Sequence, residues 1–138
     1  SIVPALMAGN SVLLKASAQV PLCGEAFRSA GLSEGVFQNL FLSHVNAERI
    51  VNSGQMDFIC FTGPVPAGQR IEQAAAGTFA GVALELGGKD PAYVMEDANF
   101  DNAVENLVDG AFFNSGQSCC GIERIYVHES LFDTFVEA

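Results

Sequence analysis

Residues 58–88 read FICFTGPVPAGQRIEQAAAGTFAGVALELGG. The apolar run Phe58 to Phe61 gives way to Thr62-Gly63, a helical pattern covers Gly68 to Ala76, and a second apolar run, Val82 to Leu86, ends on Gly87-Gly88. Unbroken apolar runs, in place of strict alternation, mark strands covered on both faces. The same rhythm extends toward the N-terminus. Ser11 to Lys15 reads as a strand, Leu22 to Ala30 as a helix stopped by Gly31, Val36 to Leu42 as a strand, and Val45 to Val51 as a short helix stopped by Ser53-Gly54. Strand and helix in alternation predict an α/β fold with a mostly parallel sheet, helices on both faces and right-handed crossovers. Ligands of such sheets lie at the carboxyl ends of strands. Lys15, Thr62-Gly63 and Glu85-Leu86-Gly87-Gly88 fall at those ends or just beyond them.

The character changes after Gly88. Pro91 to Met95 reads as another strand. A helix opens over Asp97 to Asp101, with Asp101 or Asn102 as cap, and carries Val104, Leu107, Val108 and Ala111 at helical spacing. Ile125 to Val127 reads as a strand and Leu131 to Val136 as the start of a helix. This places a domain boundary near Gly87, with residues 1–87 and 88–138 as the two parts.

The chain has 138 residues, 49% of them apolar and 16% charged, which suits a globular domain with a core. No apolar run reaches the roughly 20 residues of a membrane span. A formal net charge of -10 argues against nucleic acid and anionic membranes as partners, because both require basic patches. Cys23, Cys60, Cys119 and Cys120 form no even framework, and adjacent Cys119 and Cys120 do not suit an ordinary structural disulfide. Free thiols fit a reducing, cytoplasmic compartment. His44 and His128 are isolated and no CxxC occurs, so no metal is expected. The opening Ser1-Ile2-Val3-Pro4 lacks an initiator Met, and the chain stops within an amphipathic pattern at Phe135 to Ala138, so an internal piece of a longer protein is expected.

Two stretches carry chemistry. Asn114-Ser115-Gly116-Gln117-Ser118-Cys119-Cys120 is a polar, Gly-containing loop between a helix and a strand. Such a loop can expose a nucleophilic sulfur beside backbone N–H groups, although free Cys residues are often small buried hydrophobes. Glu85 stands in an otherwise apolar strand. Burial would raise its pKa toward the range of a general base, whereas an edge strand would turn it to solvent. Lys15 could contact a ribose or phosphate, or be a surface lysine with an apolar stem. Free N–H groups after Thr62-Gly63 could face a pyrophosphate. Gly63 to Gly68 has P-loop glycine spacing, but Gln69-Arg70 replaces its Lys-Ser/Thr pair, and GxGxxG is absent.

Taken in order, these segments resemble the aldehyde dehydrogenase superfamily along nearly the whole chain. Pro4-Ala5-Leu6, Gly9-Asn10 and Val12 to Lys15 look like its "PAL..GN..V.K" entry, and Phe61-Thr62-Gly63 looks like its "FTG" turn. Leu84 to Pro91 is similar to its "LELGGKSP" glutamate motif, and Phe112 to Cys119 to its "FFN.GQ.C" cysteine motif. The resemblance implies a Rossmann-like cofactor domain running into the first part of the catalytic domain. It selects Cys119, not Cys120, as nucleophile and Glu85 as general base. It also implies NAD(P)+ contacts at Lys15, Ser17, Ala18, Gly63, Pro64, Leu86 and Gly87. The activity implied is oxidation of an aldehyde to an acid through a cysteine thiohemiacetal and thioester.

The family's Pro-Ser-Glu-like run after its lysine is replaced by Ala16-Ser17-Ala18. Ala18 stands where many NAD-preferring members carry a ribose-binding Glu, so both NAD and NADP are admitted. Pro64 and Pro66 follow Gly63 where Ser or Thr is usual, and Pro64 at a first helical position removes one N–H donor. The family's tryptophan-asparagine segment, "FGP" segment and oligomerisation strands are expected outside the chain, in a parent that is a homo-oligomer. Two other readings remain. One is an inert aldehyde dehydrogenase-like piece that only binds nucleotide or assembles; the other is a thiol hydrolase pairing Cys119 with His128.

Overall fold

The structure is a computed structural model and describes residues 1–33 and 35–138. Three strand–helix–strand units follow one another. In the first, β1 (Val12–Leu14) pairs in parallel with β2 (Phe37–Asn39), and α2 (Pro21–Arg28) lies between them in sequence. In the second, β3 (Phe58–Thr62) is the sheet neighbour of β4 (Gly81–Glu85), joined through α4 (Val65–Ala75). In the third, β5 (Asp90–Val94) pairs in parallel with β6 (Ile122–Val127), joined through α5 (Phe100–Phe112). Helices α1 (Ile2–Met7), α3 (His44–Asn52) and α6 (Phe132–Glu137) and a 3-10 turn over Phe113–Gly116 complete the fold.

The fold class is the expected α/β, with parallel strand pairs and intervening helices. Among the described residues the strands, however, form three two-stranded sheets where one larger sheet was expected. They are also less covered than their apolar composition suggested. Leu13, Phe58, Tyr93 and Tyr126 are exposed, and the buried hydrophobic residues are Phe37, Val51, Ala75 and Val94. Among the described residues no helix is long and apolar enough to cross a membrane.

By contact density the chain divides into two compact units, residues 1–61 with 66–84 and residues 62–65 with 85–138. In the first unit, Gly24 of α2 is buried under β2. A Cβ at Gly24 would stand 2.1 Å from Asn39 Oδ1, so glycine here leaves the room that the Asn39 side chain fills between helix and strand. Helix α3 begins at Ser43, whose hydroxyl accepts from the Asn46 N–H at 3.3 Å, and Arg70 of α4 pairs with Glu48 of α3 at 2.6 Å.

In the second unit, α5 is capped by Asn99, whose side chain accepts from the Asn102 N–H at 3.1 Å. The expected caps Asp101 and Asn102 instead lie inside the first turn, where Asp101 still favours the positive end of the helix. Phe100 of α5 meets Phe135 of α6 edge to face, with centroids 6.2 Å apart. The β5–β6 register shifts between Asp90, opposite Ile122, and Pro91, opposite Arg124, so Glu123 is the extra residue. Glu123 there forms an ion pair with Lys89, tying the entry to β5 to the start of β6.

Candidate active site

The cysteine loop is built by the chain's own turn chemistry. Asn114, Ser115 and Gly116 follow one another with positive φ of 51°, 60° and 73°. Asn and Gly tolerate this region best, and the strained Ser115 is held between them. Asn114 fixes the reversal by donating from Nδ2 to the Gln117 carbonyl at 3.0 Å, while the Gln117 N–H donates back to the Asn114 carbonyl at 3.2 Å. A second turn follows immediately. The Gly121 N–H donates to the Ser118 carbonyl at 3.2 Å, leaving Cys119 and Cys120 as the two central residues. Both thiols are exposed, so neither is the small buried hydrophobe that free Cys often becomes. The Ser118 hydroxyl lies 3.3 Å from Cys120 Sγ.

Glu85 is the last residue of β4 and is exposed. Its strand left open a buried carboxylate or one facing solvent. The structure turns it to solvent, because it stands where β4 ends and only Gly81 to Leu84 are partly covered. Its carbonyl accepts from the Gly63 N–H at 3.0 Å, so the turn after β3 is joined to the end of β4. Leu86, half-buried, and exposed Gly87 continue from it toward Gly88. A Cβ at Gly88 would stand 3.0 Å from the Cys119 carbonyl oxygen and 3.0 Å from Asp90 Oδ1. The segment carrying Glu85 therefore runs against the backbone of the cysteine turn. In the sequence Gly87-Gly88 marks a strand end and a ligand edge, and nothing local announces this contact.

Pro64 precedes α4, which begins at Val65, three residues before the expected start at Gly68. Pro64 is thus not the first helical residue. Pro66 is the second, a position where its missing N–H costs the helix nothing. The first turn consequently offers fewer N–H donors to an anion than a usual helix start.

Lys15, Ser17 and Ala18 come together in the first unit. With Ala16, Pro21, Leu40, Phe41 and Leu42 they line a cavity of about 180 Å³. Its wall is apolar on the Leu40–Leu42 side, and among the described residues Lys15 is the charged one lining it. An aromatic base beside an anionic or hydroxyl-bearing group suits such a lining, so these residues fit the adenosine end of a nucleotide.

The hydrolase pairing fails on position. Cys119 precedes β6 and His128 follows it, and a six-residue strand separates its ends by about 20 Å. His128 Nδ1 is engaged instead by the Ser130 hydroxyl at 2.8 Å. Among the described residues no group of three or more His, Cys, Asp or Glu could hold a metal ion.

Comparison with known proteins matches this arrangement to one family along its full length. The model of the aldehyde dehydrogenase family covers residues 1–138. The D-glyceraldehyde dehydrogenase (NADP(+)) of Thermoplasma acidophilum is 41% identical over 98% of this chain, which spans 28% of that protein. Lactaldehyde dehydrogenase from Escherichia coli superposes with a TM-score of 0.93 at 37% identity, over 99% of this chain and 30% of the other. The NADP-dependent glyceraldehyde-3-phosphate dehydrogenase from Bacillus halodurans, complexed with NADP, gives a TM-score of 0.88 at 40% identity, over 99% and 29%. The chain thus spans somewhat under a third of the relatives it matches. With its glutamate segment laid on an exposed cysteine turn, and this likeness from end to end, the chain belongs to the aldehyde dehydrogenase family.

Proposed function

We propose that this chain supplies the nucleophile and general base of an NAD(P)+-dependent oxidation of an aldehyde to a carboxylic acid. The observation that carries the reading is the approach of Gly88 to the Cys119 carbonyl, which brings the Glu85 segment to the nucleophile's turn. Residues 1–87 are read as part of the cofactor domain and residues 88–138 as the start of the catalytic domain. Lys15, Ser17 and Ala18 hold the adenosine end of the cofactor; Gly63 and Pro64 face its pyrophosphate, and Leu86 and Gly87 its nicotinamide.

In this reading the Cys119 thiolate attacks the aldehyde carbon, and the Cys119 backbone N–H helps hold the resulting oxyanion. Bound nicotinamide supplies the hydride acceptor. The acyl group is then a thioester on Cys119. Glu85 takes a proton from water, the water oxygen adds to the thioester carbon, and the C–S bond breaks to release the acid and regenerate the thiolate. An exposed Glu85 suits this step, because the carboxylate must meet water. NADP+ is favoured over NAD+, since Lys15 lines the adenosine cavity and Ala18 adds no carboxylate to repel a 2′-phosphate. The names of two of the relatives above carry the same cofactor. A cytoplasmic setting and a homo-oligomeric parent complete the proposal.

The test is Glu85→Gln in an enzyme of family length carrying this chain. Hydrolysis of the thioester should slow while the first turnover persists, giving a burst of reduced cofactor followed by a slow steady state. Unchanged steady-state turnover removes Glu85 from the base role. Cys119→Ser should abolish the burst itself. The 138 residues assayed by themselves should turn over no aldehyde.

A further inference from the structure

Lys89 stands one residue after Gly88, and Glu123 is the extra residue in the β5–β6 register. Their side chains form an ion pair. That pair spans the ladder where its backbone bonding is poorest. Pro91 has no N–H to donate, and the pairing slips there from Asp90 opposite Ile122 to Pro91 opposite Arg124. The strand entries before this slip lead directly to the cysteine turn, where a Cβ at Gly88 would lie 3.0 Å from the Cys119 carbonyl oxygen. Ile122, next to Glu123, is seated on α5: a Cβ at Gly110 would stand 2.6 Å from Ile122 Cδ1. We propose that Lys89 and Glu123 are a positioning pair for the nucleophile, bridging the bulge and holding the Gly88 segment against the turn that carries Cys119. Both act through that turn and not on the aldehyde itself. The consequence for aldehyde oxidation rests on the reading of Cys119 as nucleophile.

A bulge leaves one residue without a ladder partner and disrupts the pairing locally. With the Pro91 donor also missing, side chains take over part of the work of setting how the two strand entries lie. Both side chains are open to solvent, 69% and 46% exposed, so the pair shifts a local equilibrium severalfold and not by orders of magnitude. A small displacement still matters at a reacting sulfur, because attack needs a narrow range of distance and direction. The Gly121 N–H closes the turn onto the Ser118 carbonyl at 3.2 Å. Opening of that bond is the local motion the pair restrains, and the buried Gly121 reports it. A field effect of these charges on the thiol would have a different signature. Neutralising Lys89 and neutralising Glu123 change the field in opposite directions, whereas either change breaks the pair.

The first measurement is amide hydrogen exchange of the full chain, followed by NMR. Lys89→Met and Glu123→Gln should each speed exchange at Gly121 by about two- to fivefold. Lys89→Arg, and the swapped pair Lys89→Glu with Glu123→Lys, should return it close to the native rate. The Val12 and Leu40 amides, bonded to Val36 and Leu14 in the first unit, are the reference for a general loss of stability. The second measurement is made in an enzyme of family length carrying this chain. Each single neutralisation should slow the burst of reduced cofactor by a similar factor and leave KM for the aldehyde unchanged, and Lys89→Arg should restore the burst rate. Gly121 exchange that is unchanged, that moves in opposite directions in the two variants, or that rises only in step with Val12 and Leu40 would overturn the proposal. So would a burst rate indifferent to both substitutions. A burst that survives Cys119→Ser sinks the nucleophile reading instead, and the exchange at Gly121 still shows whether the pair holds the turn.

Discussion

Gly88 and Cys119 meet through backbone alone: the space a side chain would occupy at Gly88 is bounded by the Cys119 carbonyl oxygen at 3.0 Å. Asp90 Oδ1 also lies at 3.0 Å from that space. Gly88→Ala therefore forces either the cysteine turn or the start of β5 to move. The carboxylate of Asp90 can rotate away, but the carbonyl belongs to a turn closed by Gly121 and Ser118. We expect a loss of about 1–3 kcal/mol in unfolding free energy, the usual cost of overpacking. The rate at which iodoacetamide alkylates Cys119 should change with it. Urea unfolding and peptide-resolved labelling measure the two effects. A substitution silent in both would mean that the contact does not position Cys119.

The approach of α2 to β2 makes a sharper steric prediction. Gly24→Ala should raise helix propensity by about 1 kcal/mol at an open site. Here the new methyl would overlap Asn39 Oδ1 at 2.1 Å, an oxygen that is itself buried without a hydrogen-bond partner. The steric cost should win, and the variant should be less stable by about 1–3 kcal/mol in urea unfolding. Adding Asn39→Ala removes the obstructing group and should recover part of the loss. Simple additivity of the two changes would deny that they meet.

These two contacts mark where the sequence stops being legible. The strand–helix rhythm could be read because each strand is an apolar run and each helix has its own stop. Asn114 and Gly116 likewise announced a loop before Cys119. Two helix starts were hidden by proline. Pro4 lies in the first turn of α1 and Pro66 in the first turn of α4, where the absent N–H has no intrahelical acceptor to lose. The sequence left the exposure of Glu85 open, since its apolar neighbours allowed burial and an edge position allowed solvent; its place at the end of β4 decides for solvent. The meeting of Gly88 with Cys119 depends on how β5 and β6 pair, including the extra residue at Glu123, and no local pattern encodes it.

Glu25 gives the chain a pH-dependent element. Its carboxylate accepts from Asn39 Nδ2 at 2.8 Å and from Arg28 Nε at 2.8 Å. The Asn39 hydrogen bond first, and the Arg28 hydrogen bond after it, hold its pKa below the ordinary 4.5, against an opposing effect of desolvation. A depressed folded-state pKa means the stabilisation is fully present above the unfolded value and is lost as pH falls through the folded one. The stability difference between the native chain and Glu25→Gln should thus be constant near neutrality and shrink below about pH 4.5. Denaturant midpoints across pH 3–6, about the ordinary carboxylate range, follow it. A difference that grows on acidification has the wrong sign for this hydrogen-bonded carboxylate.

Cofactor choice is the prediction that reaches furthest into function. The cavity beside Lys15 takes Ser17 and Ala18 from the segment after β1 and Leu40 to Leu42 from the segment after β2, so it lies at the carboxyl ends of a parallel pair. Among the described residues no carboxylate lines it, although the chain as a whole carries a net charge of -10. Ala18→Glu would place a negative charge where a 2′-phosphate is expected and offer a hydrogen-bond acceptor to a ribose hydroxyl. Like charges about 4 Å apart repel by roughly 1–4 kcal/mol between water and a protein surface, so kcat/KM for NADP+ relative to NAD+ should fall by on the order of tenfold or more. Raising the salt concentration should weaken the discrimination, because the site is open to solvent and its charges are screened. Lys15→Met should reduce binding of NADP+ more than that of NAD+, since an uncharged side chain of similar length keeps the packing and loses the attraction. The measurement is made in an enzyme of family length carrying this chain, with both cofactors at several ionic strengths. If neither substitution changes the ratio, the residues after β1 do not read the 2′ position, and the cofactor must be selected elsewhere.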